Sequence, residues 1–199
     1  MRKLIASAML AALVLVGCGG GADFYIDDKR HSVVYPTYEY LTYPTISGLE
    51  YFNTETGALL SFTTAAGRYT GYTGHNLVTF VLGDIVLFTM PGELARPYRS
   101  LYEANDYASS IIYSTTAVEN LMAFLMVIDD DGNYRNGIQI AYPVRIAARG
   151  MRINFNQSAY NFRSDPNVQF SAAVLSGNTL FGPRELPSVG AVQVAMQVP

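Results

Sequence analysis

Four oxygen-bearing side chains offer the clearest metal chemistry in this chain. Asp129, Asp131 and Asn133 alternate along the sequence, and Asn136 follows. Calcium takes about six to eight oxygen ligands from a flexible loop. An apolar helical pattern precedes these residues, and acids at a helix C-terminus oppose the helix dipole, so a bound cation would stabilise the loop. Segment 129–137 is therefore a candidate Ca²⁺ site.

A plain turn is the alternative interpretation of the same segment. The loop lacks the EF-hand pattern, because Ile140 stands where that motif supplies its last, bidentate carboxylate. Asp and Asn beside a glycine are typical of chain reversals, in which their side chains bond to the nearby backbone. The sequence leaves both interpretations open.

Residues able to act as a nucleophile or general base are scarce. His31 and His75 are the only histidines, and neither has a metal-ligand partner three or four positions away. The chain contains no nucleophile elbow, zinc-hydrolase motif or phosphate-binding loop. We predict that no catalysis depends on histidine. The glutamates left as candidates for a glycosidase-like carboxylate pair are Glu50, Glu55, Glu93 and Glu103.

Cys18 is the single cysteine and ends an apolar N-terminal run. Two basic residues precede the run, and Leu15-Val16-Gly17 stand directly before the cysteine, an order typical of a cleaved secretory signal and similar to the lipobox of bacterial lipoproteins. As a helix, residues 4–16 would reach only about 20 Å, too short for a hydrocarbon core of ~30 Å. We therefore predict a signal peptide at 1–17 and membrane anchoring through a diacylglycerol-modified, acylated Cys18.

The mature chain would be acidic and rich in apolar residues. Gly19 would follow the lipidated cysteine, and glycine in place of a sorting aspartate favours the outer membrane. Cleavage removes Arg2, Lys3 and no acid, which leaves 11 basic against 16 acidic residues. Because no basic patch could neutralise phosphates, we exclude nucleic acid as a partner. Half of all residues are hydrophobic and 15% are charged, which indicates a packed core.

The patterning divides the mature chain into three parts. Residues 18–32 are the lipidated cysteine and a short polar tether. Residues 33–92 predict a β domain, in which apolar runs at 77–82 and 85–90 flank Gly83-Asp84 as a hairpin. Many of the 15 tyrosines lie in or beside this β-like sequence, and tyrosine suits both half-buried sheets and contact surfaces.

Residues 93–199 are predicted to be mainly helical. Thr116 to Glu119 has capping-box spacing, and the apolar face that follows predicts a helix ending at Asp129. The expected fold class is therefore α+β, with a small antiparallel, sandwich-like β part and a helical part packed on it. A helical spacing of Leu101, Ala104, Ala108, Ile111 and Ile112 predicts one more helix before the one that ends at Asp129, and three further helices are expected at Pro143, from Asp165 to about Leu175, and from Ser188 onward.

Two phrases of the chain resemble a family of uncharacterised proteobacterial lipoproteins. Residues 77–87, LVTFVLGDIVL, are similar to that family's β-domain phrase, and segments 47–51 and 65–69 follow the same plan. Residues 120–138, NLMAFLMVIDDDGNYRNGI, are similar to its pattern NLxxLLxxLDxDGxxxNGI. The chain departs from the family at His75-Asn76. The β part also resembles transthyretin-like or carboxypeptidase-regulatory modules, which are accessory domains. The resemblance implies no active site.

These observations favour a lipid-anchored envelope protein that acts as a non-enzymatic binding or adhesion-type module. Its partners would be the membrane, through the N-terminal lipid, and an envelope protein or a surface polysaccharide. A structural or assembly accessory of an envelope complex is the first alternative, and a carbohydrate-active hydrolase is the second. An exposed tyrosine-rich strand face would favour binding, whereas a cleft with two carboxylates would favour the hydrolase.

Overall fold

Strands come first and helices follow in this computed structural model, which describes residues 25–26, 33–34, 36–72, 77–92, 98–105, 112 and 114–197. The strands are β1 Tyr25–Ile26, β2 Val33–Val34, β3 Pro36–Thr42, β4 Ile46–Ser47, β5 Glu50–Asn53, β6 Leu59–Phe62, β7 Arg68–Tyr72, β8 Leu77–Leu82, β9 Ile85–Pro91, β10 Tyr98–Ser100 and β11 Ile138–Gln139. The helices are α1 Thr115–Ile128, α2 Tyr142–Ala147, α3 Ala159–Ser164, α4 Pro166–Ser176 and α5 Val189–Gln197, with 3-10 turns at Leu101–Asn105 and Tyr134–Asn136. The expected α+β class is confirmed.

The β8–β9 hairpin is the element that local sequence specifies most directly. Leu82 lies opposite Ile85, so Gly83 and Asp84 form the two-residue connection. Gly83 has a φ of +55°, which glycine adopts without the Cβ clash that other residues meet. The predicted hairpin is confirmed.

Two sheets pack against each other through buried aromatic side chains. One sheet has the strand order β6-β5-β8-β9, and the other has the order β10-β3-β7. The Tyr69 ring of β7 stands edge-on to Phe80 of β8, with the ring centroids 4.9 Å apart. The Tyr51 hydroxyl of β5 accepts a hydrogen bond from the backbone N–H of Thr70 at 3.0 Å. These contacts join the sheets into one core.

Two parallel strand pairs connect the later chain to the β part. Tyr98 of β10 pairs with Tyr40 of β3, and Ile138 of β11 pairs with Ile46 of β4. Both β10 and β11 lie in the region expected to be mainly helical, and the described start of the helix expected from Leu101 is a 3-10 turn, Leu101–Asn105. The sheets are therefore completed by segments that are distant in sequence, and a pairing of that kind leaves no local pattern to detect.

Helix α1 is the centre of the helical part. It is buried on nearly all sides and packs against α3, α4 and α5, as expected for a helix that is hydrophobic all round. Phe124 lies edge-on to Phe155 with centroids 5.8 Å apart, and Phe155 contacts Phe162 of α3. The side-chain amide of Asn120 donates to the carbonyls of Phe155 and Gln157 at 3.0 and 2.9 Å. This amide fixes the irregular segment before α3 onto α1.

The start of α1 differs from the prediction, and its end does not. Ser114 is the N-cap, because its Oγ accepts a hydrogen bond from the backbone N–H of Ala117 at 3.1 Å. The capping-box prediction at Thr116 is therefore wrong by two residues, and Thr116 lies inside the helix. The helix ends at Ile128, and Asp129 is its C-cap, as predicted.

The later helices follow the local signals closely. Pro143 lies in the first turn of α2, and the Asp165 carboxylate caps α4 by accepting from the Asn167 N–H at 2.9 Å. Ser188 Oγ accepts from the Ala191 N–H at the start of α5. These three helix predictions are confirmed. Helix α3, which Ser158 caps, was not expected.

Candidate functional site

Asp129 is a buried carboxylate that joins α1 to β11. The residue is 0% exposed, and its Oδ1 accepts from the Gln139 backbone N–H at 2.8 Å. Its Oδ2 is buried and has no hydrogen-bond partner. Burial raises the pKa of Asp129 to about 6, against the lowering effect of the Gln139 N–H. The carboxylate therefore orders the β11 backbone.

The other three predicted calcium ligands lie together in a hydrogen-bonded turn. Asp131 Oδ1 accepts from the Asn133 backbone N–H at 2.9 Å, and Oδ2 accepts from the side-chain amide of Asn136 at 2.8 Å. These bonds lower the pKa of Asp131. Asn136 thus turns its amide nitrogen toward Asp131, and Asn133 contributes its backbone N–H. The hydrogen bonds are those of a chain reversal.

Among the described residues, no three acidic, histidine or cysteine side chains lie close enough together to hold a metal ion. Calcium ligation by Asp129, Asp131, Asn133 and Asn136 stays a prediction.

Arg184 supplies the positive charge that the sequence argument assigned to a cation. Its guanidinium donates to the carbonyls of Met126, at 3.3 Å, and Asp129, at the C-terminus of α1. It also donates to Thr179 Oγ1 at 3.2 Å. A cation at this end of a helix is favourable with the dipole. Arg184 lies 55 residues beyond Asp129, so no local pattern could have predicted this contact.

A second feature is an exposed aromatic surface on the sheet of β10, β3 and β7, which we call the tyrosine face. Side chains alternate along a strand, so Tyr38, Tyr40 and Thr42 of β3 point to one side. Tyr40 stacks on Tyr98 of β10, with ring centroids 5.4 Å apart. The Arg68 guanidinium of β7 lies 4.8 Å from the centroid of the Tyr38 ring. Tyr38 is 45% exposed and Tyr98 62% exposed.

The opposite side of the same sheet is buried and charged. Glu39 is 3% exposed, and its Oε2 has no hydrogen-bond partner. Burial raises the pKa of Glu39 to about 7, although the nearby charge of Arg99 lowers it. Arg99 is itself buried and forms an ion pair with Glu103. Glu39 and Arg99 therefore lie on the buried side of the sheet, opposite the tyrosine face.

A cleft of about 320 Å³ continues the tyrosine face at the end of β3. Thr42 belongs to both, and the cleft is also lined by Tyr43, Tyr134 and Arg135. Tyr43 has a φ of +56° and is the one residue other than glycine in the left-handed region among the described residues. Such a conformation is strained and is often found at binding sites. The rings of Tyr43 and Tyr134 thus lie in a cleft next to the tyrosine face.

The remaining predicted residues that the structure describes lie in different elements. Glu103 pairs with Arg99, Glu50 belongs to β5, and Glu55 lies in the turn that follows that strand. The four clefts described in this part of the chain contain at most one carboxylate each. The predicted residues outside the described part of the chain are Cys18, His31, His75 and Glu93.

The sequence predicts the part of the tyrosine face that lies on β3. Alternation of Tyr38 and Tyr40 predicts a strand with both rings on one side. Tyr98 comes from the region expected to be helical, so its stacking on Tyr40 had no local signal. Arg68 follows a turn and reaches Tyr38 only because β7 lies antiparallel to β3.

No helix within the described ranges is both long and apolar enough to cross a membrane. Comparison of the chain with protein-family models, curated proteins and solved structures finds no match.

Proposed function

We propose that this protein is a lipid-anchored protein of the bacterial outer membrane that binds a polymer or partner through the tyrosine face, without catalysis. Cys18 would carry the lipid, and the short segment 19–32 would keep the folded part near the membrane. The resemblance to lipoproteins over residues 77–87 and 120–138 agrees with this proposal.

The observation that carries the binding proposal is the exposure of ordered aromatic rings. Tyrosine provides a large, rigid contact area at a low cost in conformational entropy. The stacking of Tyr40 on Tyr98 and of Arg68 on Tyr38 restricts these side chains before any partner arrives. Binding to such a surface loses little further freedom, which favours affinity.

A specific observation favours the accessory alternative as a second candidate. Leu180 is 88% exposed, yet its backbone N–H donates to Asp130 Oδ1 at 2.9 Å. The neighbouring Phe181 is also exposed, and its N–H donates to the Asp130 carbonyl at 3.0 Å. An ordered turn that presents two apolar side chains suits contact with another protein. Under this alternative, Leu180→Ser with Phe181→Ser would abolish co-purification with an envelope complex.

The experiment that tests the binding proposal compares two exposed tyrosine sites. Full-length protein in detergent is immobilised and incubated with an envelope fraction from the native membrane. Tyr40→Ala with Tyr98→Ala should reduce the captured material at least 10-fold, because truncated aromatic anchors cost about 2 kcal/mol or more. Tyr160→Ala is the matched control, since Tyr160 is 80% exposed on α3. Equal capture by the double variant and the wild type would refute the proposal.

A further inference from the structure

We infer that the tyrosine face and its adjoining cleft bind a linear polysaccharide that carries carboxylate groups. This inference rests on the proposed function and specifies the chemistry of its ligand. It depends on three features of the surface: the mixture of rings and hydroxyls, the distribution of charge, and the length of the strip.

The surface combines flat rings with hydroxyl groups. The rings of Tyr40 and Tyr98 lie within 29° of parallel, and the hydroxyl-bearing Thr42 and Ser100 face each other on the same strands. A pyranose ring has an apolar C–H face that packs on an aromatic ring and hydroxyls at its edge that form hydrogen bonds. An obligate protein partner would require a more apolar centre instead. The mixture of groups favours a sugar.

The charge of the surface is positive at both ends. Arg68 lies over Tyr38 at one end, and Arg135 lines the cleft at the other. Within the described residues, neither guanidinium forms an ion pair or a hydrogen bond. The outward positions of β3, β7 and β10 carry tyrosine, threonine, serine and arginine and no acid. Asp131, on the same loop as Arg135, keeps its negative charge, but both of its oxygens accept hydrogen bonds from Asn133 and Asn136 and it does not line the cleft. Arginine binds carboxylates through its planar fork.

The length of the strip from Tyr38 to the cleft fits an extended ligand. From Tyr38 to Thr42 the strand covers about 13 Å at ~3.3 Å per residue, and the cleft with Arg135 lies beyond Thr42. Such a strip accommodates an oligosaccharide of several units, with a carboxylate near each end and sugar rings over Tyr40 and Tyr98.

The probe is polygalacturonate, compared with methyl-esterified polygalacturonate, which has the same backbone without the charge. We expect calorimetry on the full-length protein in detergent to show binding to the acid form that weakens as NaCl is raised. Esterification, Arg68→Ala and Arg135→Ala should each weaken binding about 3- to 10-fold. Arg149→Ala is the control, since Arg149 is exposed and lies outside these clefts. Measurable binding of both polymers with equal affinity would overturn the inference.

Treatment of the envelope fraction separates this inference from the proposed function. Capture that depends on Tyr40 and Arg68 and is destroyed by periodate supports the inference, even if polygalacturonate itself is not bound. Capture that depends on Tyr40 and Tyr98 but is destroyed by proteinase K and not by periodate overturns it, while the proposed binding function stands. Capture that the tyrosine variant does not change rejects the proposed function itself.

Discussion

Arg184 donates a hydrogen bond to the backbone carbonyl of Asp129 at the C-terminal end of α1. The same guanidinium lies 4.9 Å from the ring centroid of Phe181, so it joins α1, the acidic loop and the turn after α4. The acids Asp129, Asp130 and Asp131 act on Arg184 electrostatically and partly offset the burial that lowers its pKa. The chain itself therefore supplies one positive charge beside the acidic loop.

Removal of this cation should destabilise the fold. Arg184→Ala leaves the helix-end carbonyls of Met126 and Asp129 without a donor and removes the positive charge beside the buried Asp129, and we expect a loss of about 2–4 kcal/mol in the free energy of unfolding. Urea denaturation measures it. Arg149→Ala, at an exposed position, should change stability by less than about 0.5 kcal/mol. Equal values for the two variants would show that the Arg184 contacts contribute nothing.

The calcium prediction can be decided by thermal unfolding. We expect millimolar Ca²⁺ to leave Tm unchanged, because both Asp131 oxygens already accept hydrogen bonds and Arg184 already supplies a positive charge. A ligand that binds only the native state would raise Tm instead. A Ca²⁺-dependent rise that Asp129→Asn with Asp131→Asn abolishes would establish the loop as a calcium site.

Local signals predicted those elements whose causes are local. The turn Gly83-Asp84, the cap Asp165 and the cap Ser188 each act within a few residues of their position, and each prediction is confirmed. The start of α1 differs from the prediction because three consecutive residues, 114–116, carry hydroxyl groups, and Ser114 rather than Thr116 accepts the hydrogen bond from a free N–H.

Non-local contacts account for what the sequence did not predict. The pairing of β10 with β3 puts Tyr98 on Tyr40 across 58 positions of chain, and Arg184 reaches α1 in the same way. A single sequence contains no periodicity that encodes such contacts. The acidic loop is a further example. Its hydrogen bonds join neighbours in the sequence, such as Asp131 and Asn136, whereas the positive charge of Arg184 comes from a distant segment.

Anchoring through Cys18 gives the third prediction. Cys18→Ser removes the thiol that would accept the diacylglyceryl group, so the protein should stay uncleaved or lose its lipid. Phase separation in a cloud-point detergent measures the change: the wild type should enter the detergent phase, and a cleaved variant should stay in the aqueous phase. A variant of mature size that still enters the detergent phase would disprove lipid anchoring through Cys18.

Asn120 should be one of the most sensitive polar positions. It is 0% exposed, and its amide makes two hydrogen bonds to backbone carbonyls 35 and 37 residues away. Asn120→Ala leaves those carbonyls unpaired and should cost about 2–3 kcal/mol. Asn120→Asp should cost more, because it also buries a charge. Asn161→Ala on the exposed side of α3 is the control, and chemical denaturation should show it near wild type.

Glu39 should make the protein less stable as pH rises through neutrality. Its pKa is raised from 4.5 to about 7 by burial, so between these values the folded state holds a proton that the unfolded state has lost. The contribution of Glu39 to stability is then highest below about pH 4.5 and falls until the folded-state pKa is passed. Asp129 acts in the same direction, but its window ends at about pH 6. Between pH 6 and pH 8, Glu39 therefore accounts for most of this decline in stability.

The variant Glu39→Gln tests this prediction, because its neutral amide replaces the protonated acid. We expect the denaturation midpoints of the variant to stay constant from pH 6 to pH 8, while those of the wild type decline. The two proteins should match most closely below about pH 4.5, where Glu39 is protonated in both the folded and the unfolded state. A parallel decline in both proteins would mean that another group controls the pH dependence.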